Sequence, residues 1–336
     1  MTSQTNSQKS LILGSRGSDL AVTQVRQTEA CLIDAGHSQV EVRIINTVGD
    51  KRPDLKLSEF SDPGASGGEA ILDKGIFTKE LEEALLDEKI HAAVHSLKDV
   101  PTELHEAFAI TAALEREAIE DVLLSRNASE PYDIAGLPQG GTVATSSVRR
   151  ARQLRWLRPD LNIVDIRGNV PTRIRKLTET PVWDAIMLAK AGLKRLGFIQ
   201  SDQLKGELDF NSETSVGYCV MTASEFLPAA GQGAIGIESR HADATTSAAL
   251  SLINHQPTFA RVSAERAFLA RLQAGCQTPV GLYTWWDDEQ KVLSMRTRVF
   301  DEENLDAAPL EGEVSAPASC SPEDLADQLM REIYGD

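Results

Sequence analysis

Cysteine, aromatic residues and long apolar runs are all scarce in this sequence. Its four cysteines, Cys31, Cys219, Cys276 and Cys320, form no Cys-x-x-Cys pair and match no zinc-site spacing. A disulfide scaffold is therefore not expected, and the apolar neighbours of Cys31 and Cys219 predict buried, inert thiols. No apolar run approaches the roughly 20 residues that would cross a bilayer, so no membrane partner is predicted.

Positive charge is also scarce in the chain as a whole. The 34 Lys and Arg residues are outnumbered by 50 Asp and Glu residues, which gives a formal net charge of −16. Such acidity argues against non-specific binding to nucleic acid or to acidic membrane surfaces. The N-terminal MTSQTNSQKS is polar and has neither the apolar stretch of a signal peptide nor the arginines of a transit peptide. We therefore expect a cytoplasmic protein with a disordered N-terminal tail.

The basic residues that are present gather in one segment. From Arg149 to Arg195, nine Arg and three Lys stand against four acidic residues, an excess of eight positive charges in 47 residues. A single arginine is more often part of a solvated helix face. The cluster instead predicts a cleft for a small polyanion with several carboxylates, because arginine binds carboxylates through paired hydrogen bonds. Nucleic acid is the alternative ligand, and the overall acidity and the scarcity of aromatics count against it.

Strands and helices alternate twice along the chain. The first series begins with LILGS (11–15) and includes a long irregular segment at 49–75, whose two prolines and five glycines indicate a lid or a disordered loop. The second series begins with GTVATSS (141–147), and from about residue 243 the order is helix, helix, strand, strand, helix. The pattern predicts two α/β domains, each with helices on both faces of a sheet, and a smaller C-terminal α+β domain.

Candidate functional residues follow the predicted strands, where the ligands of open α/β sheets bind. In chain order they are Arg16, Ser18, Lys98, Asp99, Ser146, Ser147, Arg149, Arg150 and Arg167. Arg173 and Arg195 lie at comparable points of the later βα units. A helix N-terminus binds anions through its free backbone N–H groups and the helix dipole, and nearby hydroxyl groups and arginines add further donors. These positions therefore again predict an anionic ligand.

Three residues stand apart from this basic field. Asp99 could be a helix cap or a turn residue before a proline, or a carboxylate that faces the substrate and stabilises a cation during reaction. His95 on the preceding strand fits a satisfied core residue better than an acid–base group. Cys276, in the loop GCQTPVG, could be the nucleophile of a Cys-His hydrolase or the attachment point of a covalently held group.

Eight segments together resemble the porphobilinogen deaminase family and cover nearly the whole chain in the expected order. They are LGSRGSDLA (13–21), GIFTKELEEALL (75–86), VHSLKDVP (94–101), ATSSVRR (144–150), IRGNVPTR (166–173), LAKAGLKRLG (188–197), GQGAIGIE (231–238) and GCQTPVG (275–281). The resemblance implies two α/β domains similar to periplasmic binding proteins, with the active cleft between them, and a third domain that carries the cysteine. The implied boundaries are 1–114 with 217–239 for the first domain, 115–216 for the second and 240–336 for the third.

The resemblance also implies an activity. Members of the family are transferases, also called hydroxymethylbilane synthases, that condense four porphobilinogen molecules one at a time with loss of ammonia. The product grows on a dipyrromethane cofactor, which a thioether bond holds to the residue that matches Cys276, and hydrolysis releases it as a linear tetrapyrrole. The expected partner is porphobilinogen, the expected pathway is tetrapyrrole (haem or chlorophyll) biosynthesis, and the expected state is a monomer.

The same resemblance implies roles for the candidate residues. Asp99 is the expected catalytic residue, whose carboxylate holds pyrrole N–H groups and stabilises the cation that forms when ammonia leaves. The expected cofactor-binding set is Cys276, Lys98, Arg149, Arg150, Ser147 and Lys74. The set expected to bind substrate carboxylates is Arg16, Ser18, Arg167, Arg173 and Arg195. No metal ligand is expected.

The sequence departs from the family pattern in three places. The segment LDKG (72–75) replaces a short loop that usually ends Gly-Gly-Lys-Gly, and the loop before it is longer and more acidic. AIED (118–121) replaces the usual Asp-Pro-Arg-Asp, which removes a base and adds an acid. Pro171 replaces a usual glycine, a change that the first turn of a helix tolerates. The alternative function is a non-catalytic binding protein for a small polyanion on the same two-domain scaffold.

Overall fold

A computed structural model describes residues 10–47, 78–126, 129, 132–211, 214–274, 278–287 and 289–335. The predicted loop at 49–75, with Lys74, and the loop residue Cys276 lie outside these described residues. Chain contacts divide the protein into two compact units. Unit 1 joins the chain up to Glu115 with Ala234–Phe259, and unit 2 joins Arg116–Gly233 with the chain from Ala260 onward.

The described elements follow the predicted alternation of strands and helices. Up to residue 126 they are β1 (Leu11–Ser15), α1 (Asp19–Asp34), β2 (Val40–Ile44), α2 (Lys79–Leu86), β3 (Ala92–Ser96), β4 (Phe108–Ala113) and β5 (Asp121–Ser125). The middle of the chain contains β6 (Thr142–Ala144), α3 (Val148–Leu157), β7 (Asn162–Val164), α4 (Val170–Glu179), β8 (Ala185–Ala189), α5 (Lys190–Arg195), β9 (Lys205–Asn211), β10 (Thr214–Val220) and β11 (Ile235–Arg240). The C-terminal part contains α6 (Ala244–Ser251), α7 (Gln256–Arg271), β12 (Val280–Asp287), β13 (Val292–Val299), β14 (Leu310–Pro317) and α8 (Pro322–Tyr334).

The sheet of unit 1 has the strand order β2-β1-β3-β11-β4. β1 lies parallel to β2 and β3, whereas β11 runs antiparallel to β3 and β4. The side chains of a strand alternate between the two faces of the sheet. Leu13 of β1 packs with Leu32 of α1 on one face, and Ala93 of β3 packs with Leu81 of α2 on the other. Helices therefore cover both faces of this sheet, as the sequence predicts.

The larger sheet of unit 2 has the order β7-β6-β8-β5-β10-β9. β6 is parallel to β7 and β8, and β5 is antiparallel to β8 and β10. Leu154 of α3 packs with Leu123 on one face, while Leu177 of α4 and Leu193 of α5 pack with Leu124 on the other. β10 belongs to this sheet. The resemblance assigns residues from 217 onward to the first domain, but the structure pairs the first of them, 217–220, with β5 in unit 2. The chain returns to unit 1 only at Ala234.

A second, antiparallel sheet of unit 2 has the order β12-β13-β14. Phe268 of α7 and Leu329 of α8 pack on Leu282 and Met295 of this sheet, which confirms the α+β character of the C-terminal region. The structure has three strands here where the sequence predicted two. β14 was not predicted because its sequence, LEGEVSAP, has few apolar residues that would indicate which face packs.

One prediction about burial is wrong. Cys219 is buried as expected, but Cys31 is exposed. The buried stripe of α1 passes through Val25, Thr28 and Leu32, and Cys31 falls beside this stripe rather than on it. None of the described helices is both long and apolar enough to span a membrane.

Candidate active site

In unit 1, the candidate residues gather at the carboxyl ends of two adjacent strands. Arg16 follows β1, and Lys98 and Asp99 lie in a short 3-10 turn directly after β3. These two strand ends lie at one edge of the sheet, because β1 and β3 pair in parallel. Ser18 is the N-cap of α1, and its hydroxyl accepts a hydrogen bond from the backbone N–H of Ala21 at 3.4 Å. The sheet thus brings a guanidinium, an ammonium and a carboxylate to the edge where α/β proteins bind ligands.

Asp99 presents its carboxylate to solvent from a fixed turn. Leu97 at the start of the turn is buried, and its N–H donates to the carbonyl oxygen of Ala234 at 3.1 Å. The N–H of Val100 donates back to the carbonyl oxygen of Leu97 at 3.2 Å. Within the described ranges, the carboxylate of Asp99 forms no hydrogen bond or ion pair, and it caps no helix. The backbone is held in place while the carboxylate stays available to a ligand.

His95 lies in the core, as the sequence analysis prefers. Its Nε2 is 2.9 Å from Oε2 of Glu238, and both side chains are buried. The neighbouring Ser96 accepts a hydrogen bond from the side-chain amide of Gln24 at 2.8 Å. These pairs join β3 to β11 and to α1, so they support the strand that carries the Asp99 turn.

In unit 2, the three parallel strands β7, β6 and β8 end at one edge of the larger sheet. The antiparallel strand β5 begins at the same edge, where Asp121 pairs with Ala189. Ser147 is the N-cap of α3, with its hydroxyl 3.4 Å from the backbone nitrogen of Arg150, and Asn169 is the N-cap of α4. Helix N-termini and basic side chains therefore meet at this edge, as the sequence predicts.

Arg149 and Arg150 are buried and converge on the carboxylate of Asp121. Arg149 Nη1 donates to Oδ2 at 2.7 Å, and Arg150 donates to Oδ1 through Nε at 2.9 Å and Nη2 at 2.6 Å. The two guanidinium groups also donate to the carbonyl oxygens of Leu227 and Met187. Burial alone would raise the pKa of Asp121, but the two guanidinium groups outweigh it and hold the pKa well below its usual range. Two guanidinium cations share one carboxylate, so the cluster of Asp121, Arg149 and Arg150 carries one net positive charge.

Asp121 and Gln232 belong to the same cluster, although neither was predicted from the sequence to be functional. The buried Gln232 donates from Nε2 to Oδ1 of Asp121 at 3.1 Å and to the carbonyl oxygen of Ile119 at 2.7 Å. Asp121 lies in AIED (118–121), which departs from the family pattern, and Gln232 lies in GQGAIGIE (231–238), which resembles it. The acid within the unusual segment was the available signal, but its pairing with two distant arginines depends on the sheet.

Arg167 and Arg195 are cations without an ion pair in the part of the chain that the structure describes. Arg195 is half-buried, and its Nη2 donates to the carbonyl oxygen of Gly233 at 2.8 Å. Burial lowers the pKa of Arg195 to about 10, although the charge of Glu117 opposes this shift. Arg167 follows β7, and its Nε is buried without a hydrogen-bond partner. Arg173 on α4 donates from Nε to the carbonyl oxygen of Gly168 at 2.7 Å.

The structure thus groups the predicted residues in two sets, one in each unit. The unit 1 set contains Arg16, Ser18, Lys98 and Asp99, and the unit 2 set contains Ser147, Arg149, Arg150, Arg167, Arg173 and Arg195. Cys276 and Lys74 lie outside the described residues, so their positions stay predictions. No cluster of three or more His, Cys, Asp or Glu that could hold a metal ion occurs among the described residues.

Comparisons with known proteins identify relatives over nearly the whole chain. Residues 11–248 match the family model described as "Porphobilinogen deaminase, dipyromethane cofactor binding domain", and residues 259–335 match "Porphobilinogen deaminase, C-terminal domain". A porphobilinogen deaminase from Syntrophomonas wolfei is 45% identical over 276 residues, which cover 81% of this chain and 79% of the relative. A porphobilinogen deaminase from Moorella thermoacetica is 40% identical over 322 residues, which cover 96% of this chain and 92% of the relative. Among solved structures, the periplasmic VFT2 domain of BvgS from Bordetella pertussis matches 76% of this chain and 93% of that chain, with 11% identity and a TM-score of only 0.40.

Proposed function

The chain belongs to the porphobilinogen deaminase family, and on this premise we propose the course of its reaction and the residues that carry it out. The family is one of tetrapyrrole biosynthesis and uses a dipyrromethane cofactor. We assign the enzyme to the transferases. It condenses four porphobilinogen molecules stepwise, with one ammonia lost at each step, and releases the linear tetrapyrrole hydroxymethylbilane by hydrolysis. It acts as a cytoplasmic monomer and requires neither nucleic acid nor a membrane.

The described residues of unit 2 fit a ligand that carries several carboxylates. The Nε of Arg167 is buried and has no hydrogen-bond partner among the described residues, and Arg195 is half-buried without an ion pair in the described chain. A guanidinium donor that is removed from water without an acceptor is costly, so a ligand carboxylate would supply the acceptor that Arg167 lacks and an ion-pair partner for Arg195. The pyrroles of the cofactor and of the substrate each carry an acetate and a propionate. When bound, the cofactor would supply the free pyrrole carbon to which the first substrate unit is joined.

We assign the predicted residues to two tasks. The cofactor is held by Cys276, Lys74, Lys98, Ser147, Arg149 and Arg150, with the thioether bond at Cys276. The carboxylates of the substrate are bound by Arg16, Ser18, Arg167, Arg173 and Arg195. The excess positive charge of Arg149 and Arg150 over Asp121 supports the first assignment, because a ligand carboxylate can neutralise it. Arg195, whose pKa of about 10 keeps it cationic at neutral pH, supports the second.

Asp99 is the residue that we assign to the chemical step. Its carboxylate accepts hydrogen bonds from pyrrole N–H groups of the substrate. When the C–N bond of the aminomethyl group breaks, the bonding electrons leave with ammonia, and positive charge spreads over the pyrrole ring. A fixed carboxylate beside that ring lowers the barrier by several kcal/mol. Asp99 also relays the proton that the leaving amine needs. The observation that carries this role is its exposed carboxylate, which pairs with no described residue, on a turn held by the buried Leu97.

Intact-protein mass spectrometry of the freshly purified protein tests the covalent cofactor. The mass should exceed that of the polypeptide by two condensed pyrrole units. Cys276→Ser should remove the adduct, whereas Cys31→Ser should keep it, since Cys31 is an exposed thiol with no assigned role. An unmodified mass in active protein would refute the proposal.

Turnover of porphobilinogen tests the role of Asp99. Asp99→Asn should lower kcat by about 100-fold or more while substrate binding is kept, because the amide retains the shape but not the charge. Asp87→Asn is the matched control, since Asp87 is another exposed carboxylate of unit 1 and pairs with Lys89 at the surface. Near-normal turnover by Asp99→Asn would contradict the assignment.

A further inference from the structure

Gln24 is a buried amide on α1, the helix whose N-cap is Ser18. It lies in the buried stripe of α1 with Val25, Thr28 and Leu32, and only 2% of its surface is exposed. An apolar side chain would fill such a position without the cost of burying an amide, so the hydrogen bonds of Gln24 show what the position serves. The amide is paired with a hydroxyl group that lies 72 positions later in the chain.

This hydroxyl group belongs to Ser96, so the contact joins α1 to the end of β3. Oγ of Ser96 lies 2.8 Å from Nε2 and 3.0 Å from Oε1 of Gln24. Ser96 is the last residue of β3 and the N-cap of the 3-10 turn that contains Lys98 and Asp99. An N-cap serine usually bonds to a backbone N–H of its own turn, but Ser96 forms no such bond. Its hydroxyl group ties the start of the turn to α1 instead.

A second contact fixes the start of α1 to the end of β1. The buried Ser15 is the last residue of β1, and its Oγ lies 3.1 Å from the carbonyl oxygen of Ala21 in the first turn of α1 and 3.3 Å from that of Arg16. β1 and β3 are neighbouring parallel strands. α1 is therefore bonded to both strand ends, the one that precedes Arg16 and the one that precedes Asp99.

The other contacts that hold the Asp99 turn connect β3 with β11. His95 pairs with Glu238 of β11 at 2.9 Å, and the N–H of Leu97 donates to the carbonyl oxygen of Ala234 directly before β11. These contacts fix the turn within the sheet. The hydrogen bond from Gln24 adds a restraint of a different kind, because it fixes the turn relative to the helix that covers the sheet.

We propose that Gln24 is a positioning residue that, through Ser96, sets the carboxylate of Asp99 against the substrate-binding groups at the start of α1. The inference rests on the proposed function, in which Arg16 and Ser18 bind substrate carboxylates and Asp99 stabilises the cation that forms when ammonia leaves. Arg16 and Ser18 fix where the reacting ring lies, so the distance from α1 to the turn determines whether Asp99 reaches it. A small displacement of a catalytic group lowers the rate strongly even when substrate binding is kept.

Turnover of porphobilinogen by Ser96→Ala and by the double variant Gln24→Met/Ser96→Ala tests the inference. The single variant leaves a buried amide without its partner and should lower the thermal unfolding midpoint, whereas the double variant removes both partners and should recover most of that loss. At a temperature at which every variant is folded, kcat should fall about tenfold in both, and KM should change less than twofold because Arg16 and Ser18 keep their places.

A merely structural role predicts a different pattern. In that case kcat would return to the wild-type value together with the unfolding midpoint, since the double variant leaves no buried polar group unpaired. Recovery of kcat in the double variant, a normal kcat in Ser96→Ala, or a rise in KM with unchanged kcat would each overturn the inference.

The matched control is a hydrogen-bonded pair at the opposite end of the same sheet. Oγ1 of Thr111 on β4 lies 2.7 Å from Oγ of Ser239 on β11, and Ser239 pairs with Ala92 at the beginning of β3. Thr111→Val/Ser239→Ala removes this pair and should leave kcat and KM within twofold of the wild-type values. A tenfold fall of kcat in this control would show that the effect does not depend on the Asp99 turn, and it would overturn the inference.

Intact-protein mass spectrometry separates this result from failure of the proposed function. Each variant should carry the same adduct as the wild type, which places the defect in turnover rather than in cofactor loading. Loss of the adduct from the Ser96 variants alone would overturn the inference. If the proposed function itself failed, the wild-type protein would carry no adduct and release no ammonia.

Discussion

At the scale of single residues, Asp121 determines how two of the predicted ligand arginines are held. Its carboxylate binds both Arg149 and Arg150, and all three side chains are buried. An arginine that is fixed in this way presents its remaining donors in one direction and loses little side-chain entropy when a ligand arrives. Asp121 therefore positions Arg149 and Arg150, the two arginines that we propose bind carboxylates of the cofactor, and its own carboxylate is occupied by them.

Replacing Asp121 should strongly destabilise the protein. In Asp121→Asn, two buried guanidinium groups lose their only carboxylate partner among the described residues, which should cost about 3–5 kcal/mol of unfolding free energy. Urea unfolding followed by far-UV circular dichroism measures this loss. Asp133→Asn at the exposed pair with Lys205 should cost less than about 1 kcal/mol. Equal stability of the two variants would contradict the assigned role of Asp121.

The stability that Asp121 contributes should depend on pH in the acid range. The pKa of Asp121 is lowered in the folded state, so the unfolded state binds the proton more readily. The contribution is therefore fully present above the unfolded pKa of about 4 and is lost as the pH falls below it. Unfolding free energies measured from pH 6 downwards should fall more steeply for the wild type than for Asp121→Asn. Parallel curves would contradict the prediction.

At the scale of elements, the turn before β11 depends on a glycine. Gly233 has a φ of +82°, and a Cβ at this position would lie 2.8 Å from the carbonyl oxygen of Ala118 and closer still to that of Glu117. Its own carbonyl oxygen accepts the hydrogen bond from Arg195. Gly233 in the motif GQG therefore lets two backbone segments approach closely. The same turn fixes the carbonyl oxygen that orients Arg195, a predicted substrate-binding residue.

Gly233→Ala should destabilise the protein more than the same change at another glycine with a positive φ. The expected loss is about 2–4 kcal/mol, from backbone strain plus the clash with Glu117 and Ala118. Gly197→Ala is the matched control, because Gly197 has a φ of +78° and nothing within 4 Å of the added Cβ, so about 1 kcal/mol is expected. Thermal unfolding of both variants measures the difference. Similar midpoints would show that the close approach has no energetic importance.

At the scale of the whole molecule, the charge of the chain favours a monomer. The net charge of −16 makes copies of the protein repel one another at low ionic strength. Sedimentation equilibrium at neutral pH should give the mass of a single chain at all concentrations tested. A mass that rises with concentration would contradict the proposed monomeric state.

The sequence by itself determined the features that depend on neighbours along the chain. The spacing of apolar residues predicted the alternating strands and helices and therefore the α/β class. Ser18 and Ser147 were placed before helices, where the structure has them as N-caps, and Asp99 was placed directly after a strand. Motifs distributed over the chain indicated the family. Periodicity, capping and motifs are local in sequence, so a reader of the sequence can recognise them.

Only the tertiary structure decided which side chains meet and which are left without a partner. It joined Arg149 to Asp121 across 28 positions of sequence and Gln232 to Asp121 across 111. It also exposed Cys31 and left Oε2 of Glu120 without a donor. Burial and long-range hydrogen bonds arise from the packing of strands and helices that are distant in sequence. For this reason the sequence could indicate which charged residues to consider, but the packing of α3 against β5 decided that Arg149 and Arg150 share the carboxylate of Asp121.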